Sequence, residues 1–155
     1  MNIGVVVYSW SGNTRAVADR LKPALEAAGH AVHVVSVPLA AERERGSREF
    51  TLAELPDLEP FDGIIFGAAV EAFSLSPVLA EYLKHVEPLR GKRVGCLVTQ
   101  QLPYRWLGGN RAIRQMKRLC TAKGATVAGS AIVSWASSRR EPSTVQAIEE
   151  LRGAF

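Results

Sequence analysis

The stretch Tyr8-Ser9-Trp10-Ser11-Gly12-Asn13-Thr14 decides how the rest of the chain is interpreted. It follows the apolar residues 3–7, which predict a buried strand, and it precedes residues 15–28, whose spacing predicts a helix. The first N–H groups of a helix have no partner inside it and lie at the positive end of its dipole. A glycine and four polar side chains, Ser9, Ser11, Asn13 and Thr14, surround that position. The stretch therefore predicts a phosphate-binding loop.

Helix capping is the alternative explanation of this loop, because Asn13 or Thr14 could simply cap the helix. One cap needs one polar side chain, whereas the loop offers four at the carboxyl end of the first strand. Ligands of open α/β sheets bind at that end, which favours the phosphate site. The loop lacks the Gly-Lys-Ser/Thr of a Walker loop and the Gly-x-Gly-x-x-Gly of a dinucleotide site.

Size and composition restrict the classes of protein. The chain has 155 residues, which predicts a single domain over residues 1–155. No apolar run approaches the ~20 residues of a membrane span, and no secretory leader precedes the first strand. Two cysteines that form no Cys-x-x-Cys pair predict a reduced, cytoplasmic protein. The net charge of +4 is spread along the chain, so no nucleic-acid partner is expected.

Strand and helix patterns alternate along the sequence. Strands are predicted near residues 2–8, 31–37, 63–67, 93–99 and 125–134. Helices are predicted at residues 15–28, from Pro77, at about 110–123, and from Ser143, which forms a capping box with Gln146. A short helix within residues 38–60 should place Phe50, Leu52 and Leu55 on the sheet. This alternation predicts an α/β fold with a doubly wound five-stranded parallel sheet.

Two further loops follow strand ends that share one edge of this sheet with the first loop. The loop after the third strand contains Ala69, Val70, Glu71, Ala72 and Phe73. The loop after the fourth strand offers Gln100, Gln101, Tyr104 and Trp106, whose amides and rings suit a flat heterocycle. In the alternative interpretation, the two aromatic rings only pack on the following helix. A phosphate loop beside an amide-bearing aromatic wall predicts a mononucleotide site.

No set of residues in the sequence forms a recognisable catalytic or metal-binding group. Ser9 and Ser143 have no histidine placed beside them, and no pair of carboxylates stands at a catalytic spacing. His30 and His33 lack a third ligand nearby, so they are interpreted as residues at a strand edge. Any chemistry is therefore expected to come from a cofactor.

The chain resembles the flavodoxin family in residues 6–14, in Phe61-Asp62-Gly63-Ile64-Ile65-Phe66-Gly67 and in Ser76-Pro77. This resemblance implies the strand order 2-1-3-4-5 and non-covalently bound FMN. Residues Ser9, Trp10, Ser11, Gly12, Asn13 and Thr14 would hold the phosphate. The loops after the third and fourth strands would enclose the flavin ring, with Tyr104 in the place of the family's stacking tyrosine.

Three features depart from typical electron-carrier flavodoxins. Glu71 stands where many relatives have a stacking tryptophan, and its carboxylate would repel an anionic reduced flavin. The chain is basic, and Arg105, Arg139 and Arg140 bring positive charge toward the site. The resemblance implies electron transfer through FMN, either as a carrier between redox partner proteins or as an NAD(P)H-dependent reductase of a quinone or flavin. A flavodoxin-like binding module without FMN is the alternative, and the oligomeric state stays open.

Overall fold

A computed structural model describes all 155 residues as a β-sheet with helices on both faces. Its elements are, in chain order, β1 (Asn2–Val7), α1 (Asn13–Ala27), β2 (Ala31–Ser36), β3 (Gly63–Glu71), β4 (Ser74–Leu75), α2 (Pro77–His85), β5 (Arg93–Gln100), α3 (Gly109–Ala122), β6 (Thr126–Ser134) and α4 (Ser137–Arg152). None of the four helices combines the length and the apolar character that crossing a bilayer requires.

The sheet has the strand order β2-β1-β3-β5-β6, and all of these strands are parallel. The two-residue strand β4 pairs only with the end of β3, in the antiparallel sense. Counting the five long strands alone, the predicted order 2-1-3-4-5 is confirmed. The predicted third strand was too short, because β3 continues through Ala69 and Val70 to Glu71 and turns back as a hairpin.

Two apolar layers hold the helices on the sheet. Helices α1 and α4 bury Leu21 and Leu151 against one face. Helices α2 and α3 bury Tyr82 and Met116 against the other face, where Phe66 of β3 meets the Tyr82 ring edge-on at 6.2 Å. Because β3 is covered on both sides, its sequence is apolar at consecutive positions rather than alternating.

Helix α4 begins six residues earlier than predicted, at Ser137 instead of Ser143. The predicted capping box at Ser143 is wrong, because this residue lies inside the helix and its Oγ accepts a hydrogen bond from the Ser134 N–H at 3.0 Å. Ser143 therefore ties α4 to the end of β6. Pro142 also lies inside the helix, which made a start after the proline the natural prediction.

Residues 38–60 contain no helix, so the short helix predicted there is wrong. Leu39 and Leu52 instead form an isolated antiparallel bridge, which folds this segment back on itself. Phe50, Leu52 and Leu55 pack against the core beneath, as predicted. The segment reaches the carboxyl edge of the sheet, where it contributes to the site described below.

Candidate functional site

A cleft of about 230 Å³ lies at the carboxyl edge of the sheet, between the β1–α1 loop and the ends of β3 and β5. Many of the predicted site residues line it, namely Ser9, Trp10, Ser11, Asn13, Thr14, Ala69, Val70, Glu71, Ala72, Gln100 and Gln101. Five lining residues were not predicted as site residues: Tyr8, Thr99, Arg43, Arg45 and Gly46. The three predicted loops therefore meet at the edge where the parallel topology places them, and residues 43–46 add a fourth segment.

The β1–α1 loop presents a row of unused backbone donors. None of the N–H groups from Ser9 to Thr14 donates a hydrogen bond within the protein. Gly12, at the N-cap of α1, has a φ of 91°, a left-handed conformation that suits glycine. Neither Asn13 nor Thr14 caps the helix with its side chain, so the capping alternative is wrong. The geometry is that of an anion-binding helix terminus.

Two polar side chains of this loop are used to fix its position. The Ser9 Oγ accepts a hydrogen bond from the Arg15 N–H at 3.1 Å. The Thr14 hydroxyl lies 2.8 Å from the Thr99 hydroxyl of β5, and both residues are buried. One of these two hydroxyls accepts the bond and keeps its own proton unpaired. The pair therefore anchors the start of α1 on the sheet and leaves one O–H donor at the cleft.

Arg43 is the principal site residue that the sequence did not identify. Its guanidinium is 1% exposed and forms a two-pronged ion pair with Glu71, at 2.7 Å to Oε1 and 3.2 Å to Oε2. Its Nε also donates to the Ser47 carbonyl at 2.7 Å, and the guanidinium lies 5.7 Å from the centre of the Tyr8 ring. The charge of Glu71 is therefore compensated inside the protein, which offsets the repulsion of a reduced flavin expected from the sequence.

Arg43 remains charged in spite of its burial. Loss of water acts to lower its pKa, whereas hydrogen bonds with Glu71 and Tyr8 raise it, and the net pKa lies above the ordinary arginine value. A permanent buried cation therefore lies in the wall of the cleft. No sequence pattern marks it, because residues 42–48 alternate in charge like a solvated loop.

Trp10 joins the phosphate loop to the segment that carries Arg43. Its indole Nε1 donates to the Arg43 carbonyl at 3.0 Å, and the Arg45 guanidinium lies 5.4 Å from the centre of its ring. The indole thus holds the turn of residues 43–47 against the cleft. Trp10 itself remains 49% exposed, so part of its ring faces solvent.

The hairpin between β3 and β4 contains two residues in an unfavourable backbone conformation. Ala72 and Phe73 have φ values of 49° and 62°, where a side chain costs about 1–2 kcal/mol per residue. The Gln115 Oε1 of α3 accepts hydrogen bonds from the Leu75 N–H and the Ser74 Oγ, which holds the hairpin in place. Phe73 does not line the cleft and is 57% exposed.

Gln100 lines the cleft, but its side-chain amide is used within the protein. It is buried, and its Nε2 donates to the carbonyls of Leu102 and Tyr104 at 2.6 and 2.7 Å. Both amide protons are consumed, so Gln100 has no free N–H for the polar edge of a heterocycle. It instead fixes the β5–α3 loop, while the neighbouring Gln101 is exposed at the cleft.

Tyr104 and Trp106 lie outside the cleft, in a neighbouring cavity of about 630 Å³ between the β5–α3 loop and α4. Their rings stack on each other at 5.7 Å and 6°, and the Arg139 guanidinium lies 5.1 Å from the centre of the Tyr104 ring. The alternative in which Trp106 packs on the helix is wrong, because this residue is 72% exposed. The predicted aromatic wall therefore belongs to a second cavity that adjoins the first at Gln100.

In comparisons of sequence, no protein-family model and no curated protein matches the chain. In comparisons of structure, flavodoxin 2 from Bacillus cereus superimposes with a TM-score of 0.71 at 20% identity, over 99% of this chain and 97% of that one. Two-electron reduced flavodoxin from Megasphaera elsdenii gives a TM-score of 0.70 at 24% identity, over 98% of each chain.

A third solved structure, the Trp repressor binding protein from Bacillus subtilis, matches with a TM-score of 0.68 at 13% identity over the whole of both chains. Each of these matches spans 98% or more of this chain, although the sequences differ at most positions. The chain is therefore a flavodoxin-like α/β protein.

Proposed function

We propose that the chain binds FMN non-covalently in the cleft and transfers electrons through it. The observation that carries this proposal is the row of free N–H groups from Ser9 to Thr14 around the left-handed Gly12. Such a row at a helix N-terminus suits a phosphate and is poorly satisfied by a neutral ligand. The solved flavodoxins of the same fold support FMN as the phosphate-bearing ligand.

The donor set and the size of the cleft fit a phosphate with its attached chain. The cleft volume of about 230 Å³ is below the roughly 300–1,000 Å³ of pockets that enclose a whole drug-sized ligand. A flavin ring would therefore extend toward the rim, where the backbone of Val70, Glu71 and Ala72 and the side chain of Gln101 border the opening. Phe73, Tyr104 and Trp106 lie outside the cleft. Contact of these three side chains with a flavin ring therefore stays a prediction.

The residues of the chain would bind and orient the cofactor. The loop N–H groups would hold the phosphate, and the free proton of the Thr14–Thr99 pair adds a donor. Arg43 neutralises Glu71 and so lowers the repulsion of a second anion in the cleft. When bound, FMN supplies one-electron and two-electron chemistry.

The identity of the electron donor separates two forms of this function. A carrier receives electrons from a partner protein, whereas a reductase receives them from NAD(P)H. The net charge of +4 and the arginines beside the second cavity favour the reductase form, with a small-molecule acceptor such as a quinone or flavin. Oxidation of NADPH by the purified protein in the presence of a quinone distinguishes the two, since a carrier gives no such oxidation by itself.

The test of FMN binding compares Gly12→Asp with Gly29→Asp. Both glycines are left-handed, with φ values of 91° and 96°, and both have open space where a Cβ would be placed. Gly12→Asp sets a carboxylate against the phosphate, and at ~4 Å this repulsion amounts to about 4 kcal/mol, or roughly a thousandfold in affinity. Gly29→Asp, at the opposite end of α1, introduces the same strain and charge away from the cleft.

The measurement is the visible spectrum after addition of FMN and desalting, followed by titration. Wild type and Gly29→Asp should retain flavin absorption, and Gly12→Asp should lose it. Equal affinity in Gly12→Asp and wild type would contradict the phosphate assignment. A colourless wild-type protein that takes up no FMN would contradict the proposed function.

A second candidate function is a flavodoxin-like module that acts through protein contacts without FMN. It is favoured by the exposed aromatic side chains Trp10, Phe73, Tyr104 and Trp106 at one edge of the sheet. Exposed aromatic groups of this kind are common at protein interfaces. The visible spectrum after addition of FMN and desalting distinguishes the two candidate functions, because only the first predicts that the protein retains flavin.

A further inference from the structure

We infer that the second cavity, between the β5–α3 loop and α4, binds a planar aromatic phosphate of the nucleotide class. The binding claim stands on this cavity alone. Its role as the place where NAD(P)H delivers electrons rests on the proposed function. The cavity has a volume of about 630 Å³, which lies within the roughly 300–1,000 Å³ range of small-molecule sites.

The side chains that line the cavity carry positive charge, which favours an anionic ligand. Arg105 and Arg139 both line it, and neither forms an ion pair or a side-chain hydrogen bond with the protein. No aspartate or glutamate lines the cavity. By contrast, Arg43 and Arg20 are each paired with a glutamate elsewhere in the fold. Two unpaired guanidinium groups at one cavity suit a phosphate, which they can bind through two parallel N–H···O bonds.

The aromatic side chains of the cavity select a flat ring. Tyr104 and Trp106 are already stacked at 6°, so their planes are aligned before any ligand arrives. Trp106 is 72% exposed and therefore has indole surface available for a further ring. Aromatic side chains bind bases of any kind by stacking, because every base has a π-face. An exposed stack beside free arginines matches a base joined to a phosphate.

The position of the cavity links it to the FMN cleft. Gln100 lines both, and its amide holds the Leu102 and Tyr104 carbonyls of the intervening loop. A ring stacked on Trp106 is thus separated from the cleft by a single loop. If FMN occupies the cleft, a nicotinamide nucleotide is the member of this ligand class whose chemistry supplies electrons to it.

Calorimetric titration of NADP⁺, NAD⁺ and AMP into the full-length protein tests the inference. The same titrations with Gly12→Asp remove the phosphate loop as a competing site, and inorganic phosphate serves as the probe without a ring. We expect at least one nucleotide to bind equally to wild type and Gly12→Asp, and more tightly than phosphate. Tighter binding of NADP⁺ or NAD⁺ than of AMP would identify a pyridine nucleotide as the ligand of this cavity.

Substitutions in the cavity should weaken this binding selectively. Arg139→Gln should reduce nucleotide affinity about tenfold through loss of a charge-assisted contact. Trp106→Ala should reduce it by about tenfold or more through loss of stacking. Arg118→Gln is the matched control, because Arg118 is exposed on α3, lines neither cavity and has no ion pair. Far-ultraviolet circular dichroism checks that each variant folds.

Several outcomes would overturn the inference. Absence of binding by all three nucleotides, loss of their binding in Gly12→Asp, or phosphate binding as tight as that of the tightest nucleotide would each do so. An equal loss in Arg118→Gln would show non-specific attraction to the basic surface instead. Flavin absorption measured on the same samples keeps the two proposals apart, since nucleotide binding by a protein that takes up no FMN would contradict only the proposed function.

Discussion

The cleft at the β1–α1 loop and the second cavity lie side by side at the same edge of the sheet, yet they are built differently. The cleft draws its ligand-binding capacity from the backbone of residues 9–14, and its charged side chains Arg43 and Glu71 are paired with each other. The second cavity draws its capacity from the side chains Tyr104, Arg105, Trp106 and Arg139, and its charges are unpaired.

This difference indicates that charged side chains stabilise the fold at the cleft and are available to a ligand at the second cavity. The buried pair at the cleft leaves no net charge in its wall and holds the segment of residues 43–47 against it. The open arginines of the cavity remain free to attract an anion from solution. Substitutions in the buried Arg43–Glu71 pair should therefore alter stability strongly, whereas substitutions of the exposed side chains that line the second cavity should alter mainly binding.

The largest effect is expected from breaking the buried ion pair at Glu71. Glu71→Leu leaves Arg43, 1% exposed, without its carboxylate and should destabilise the fold by about 3 kcal/mol. Arg43→Met leaves Glu71, 21% exposed, with access to water and should cost less, about 2 kcal/mol. The double variant should recover much of the loss. Urea unfolding measures all three, and additive losses in the double variant would contradict coupling of the pair.

The next largest effect on stability is expected from adding a side chain at two left-handed glycines, Gly108 in the β5–α3 loop and Gly12 in the β1–α1 loop. At Gly108, φ is 117° and an added Cβ would lie 2.7 Å from the Val70 Cγ1 and 3.0 Å from the Phe73 Cα. Gly108→Ala should therefore destabilise by about 2–3 kcal/mol through strain and overpacking. At Gly12, a Cβ meets nothing within 4 Å, so Gly12→Ala should cost about 1 kcal/mol from strain alone. Equal midpoints in urea would contradict this ranking.

A smaller effect of opposite sign is expected in the hairpin that borders the cleft. Asparagine tolerates the left-handed region better than alanine, so Ala72→Asn should stabilise the protein by about 0.5 kcal/mol. Ala41→Asn is the control, since Ala41 is exposed and does not have a positive φ. A gain in thermal midpoint for both variants, or for neither, would show that the turn strain is not what limits stability.

The smallest effect concerns the surface ion pair between Arg20 of α1 and Glu141 of α4, the helices that lead away from the two regions. Hydrogen bonding to Arg20 lowers the pKa of the Glu141 carboxyl. Its contribution is therefore complete above the ordinary glutamate pKa of 4.5 and is lost as pH falls through the lower folded-state pKa.

Glu141→Gln should accordingly lower the thermal midpoint slightly at pH 7 and not at all in strong acid. Both side chains are largely exposed, so added salt should remove the difference. A loss that persists in strong acid or high salt would point to packing of α4 instead of charge.

The main parts of the fold were predicted correctly because their causes are local. Apolar runs at residues 3–7 and 63–67 follow from burial of parallel strands on both faces, and Pro77 marks the start of α2 through its fixed φ. The row of free backbone donors in the β1–α1 loop was also recognisable, because these donors are consecutive groups around one glycine. A strand repeats its apolar residues every two positions and a helix every 3.6, and a turn is marked by a few adjacent residues. Such patterns are visible in the sequence itself.

The features that were missed depend on specific side-chain contacts that leave no periodic pattern in the sequence. The Arg43–Glu71 pair joins positions 28 residues apart, and the Ser134–Ser143 bond that accompanies the early start of α4 joins a strand end to a helix. Tyr104 and Trp106 face the second cavity because Gln100 holds the carbonyls of their loop. Such contacts are not visible in the spacing of residues along the sequence.

Local patterns in the amino-acid sequence thus determined the parallel strands and the row of backbone donors at the start of α1, since these follow from burial and backbone hydrogen bonding within single segments. The strand order was implied by the resemblance to the flavodoxin family, because it depends on pairing between distant segments. The pairing of Arg43 with Glu71, and the separation of the aromatic rings from the cleft, emerged only in the folded chain. Both depend on which side chains the packed sheet and loops bring within a few ångströms of each other.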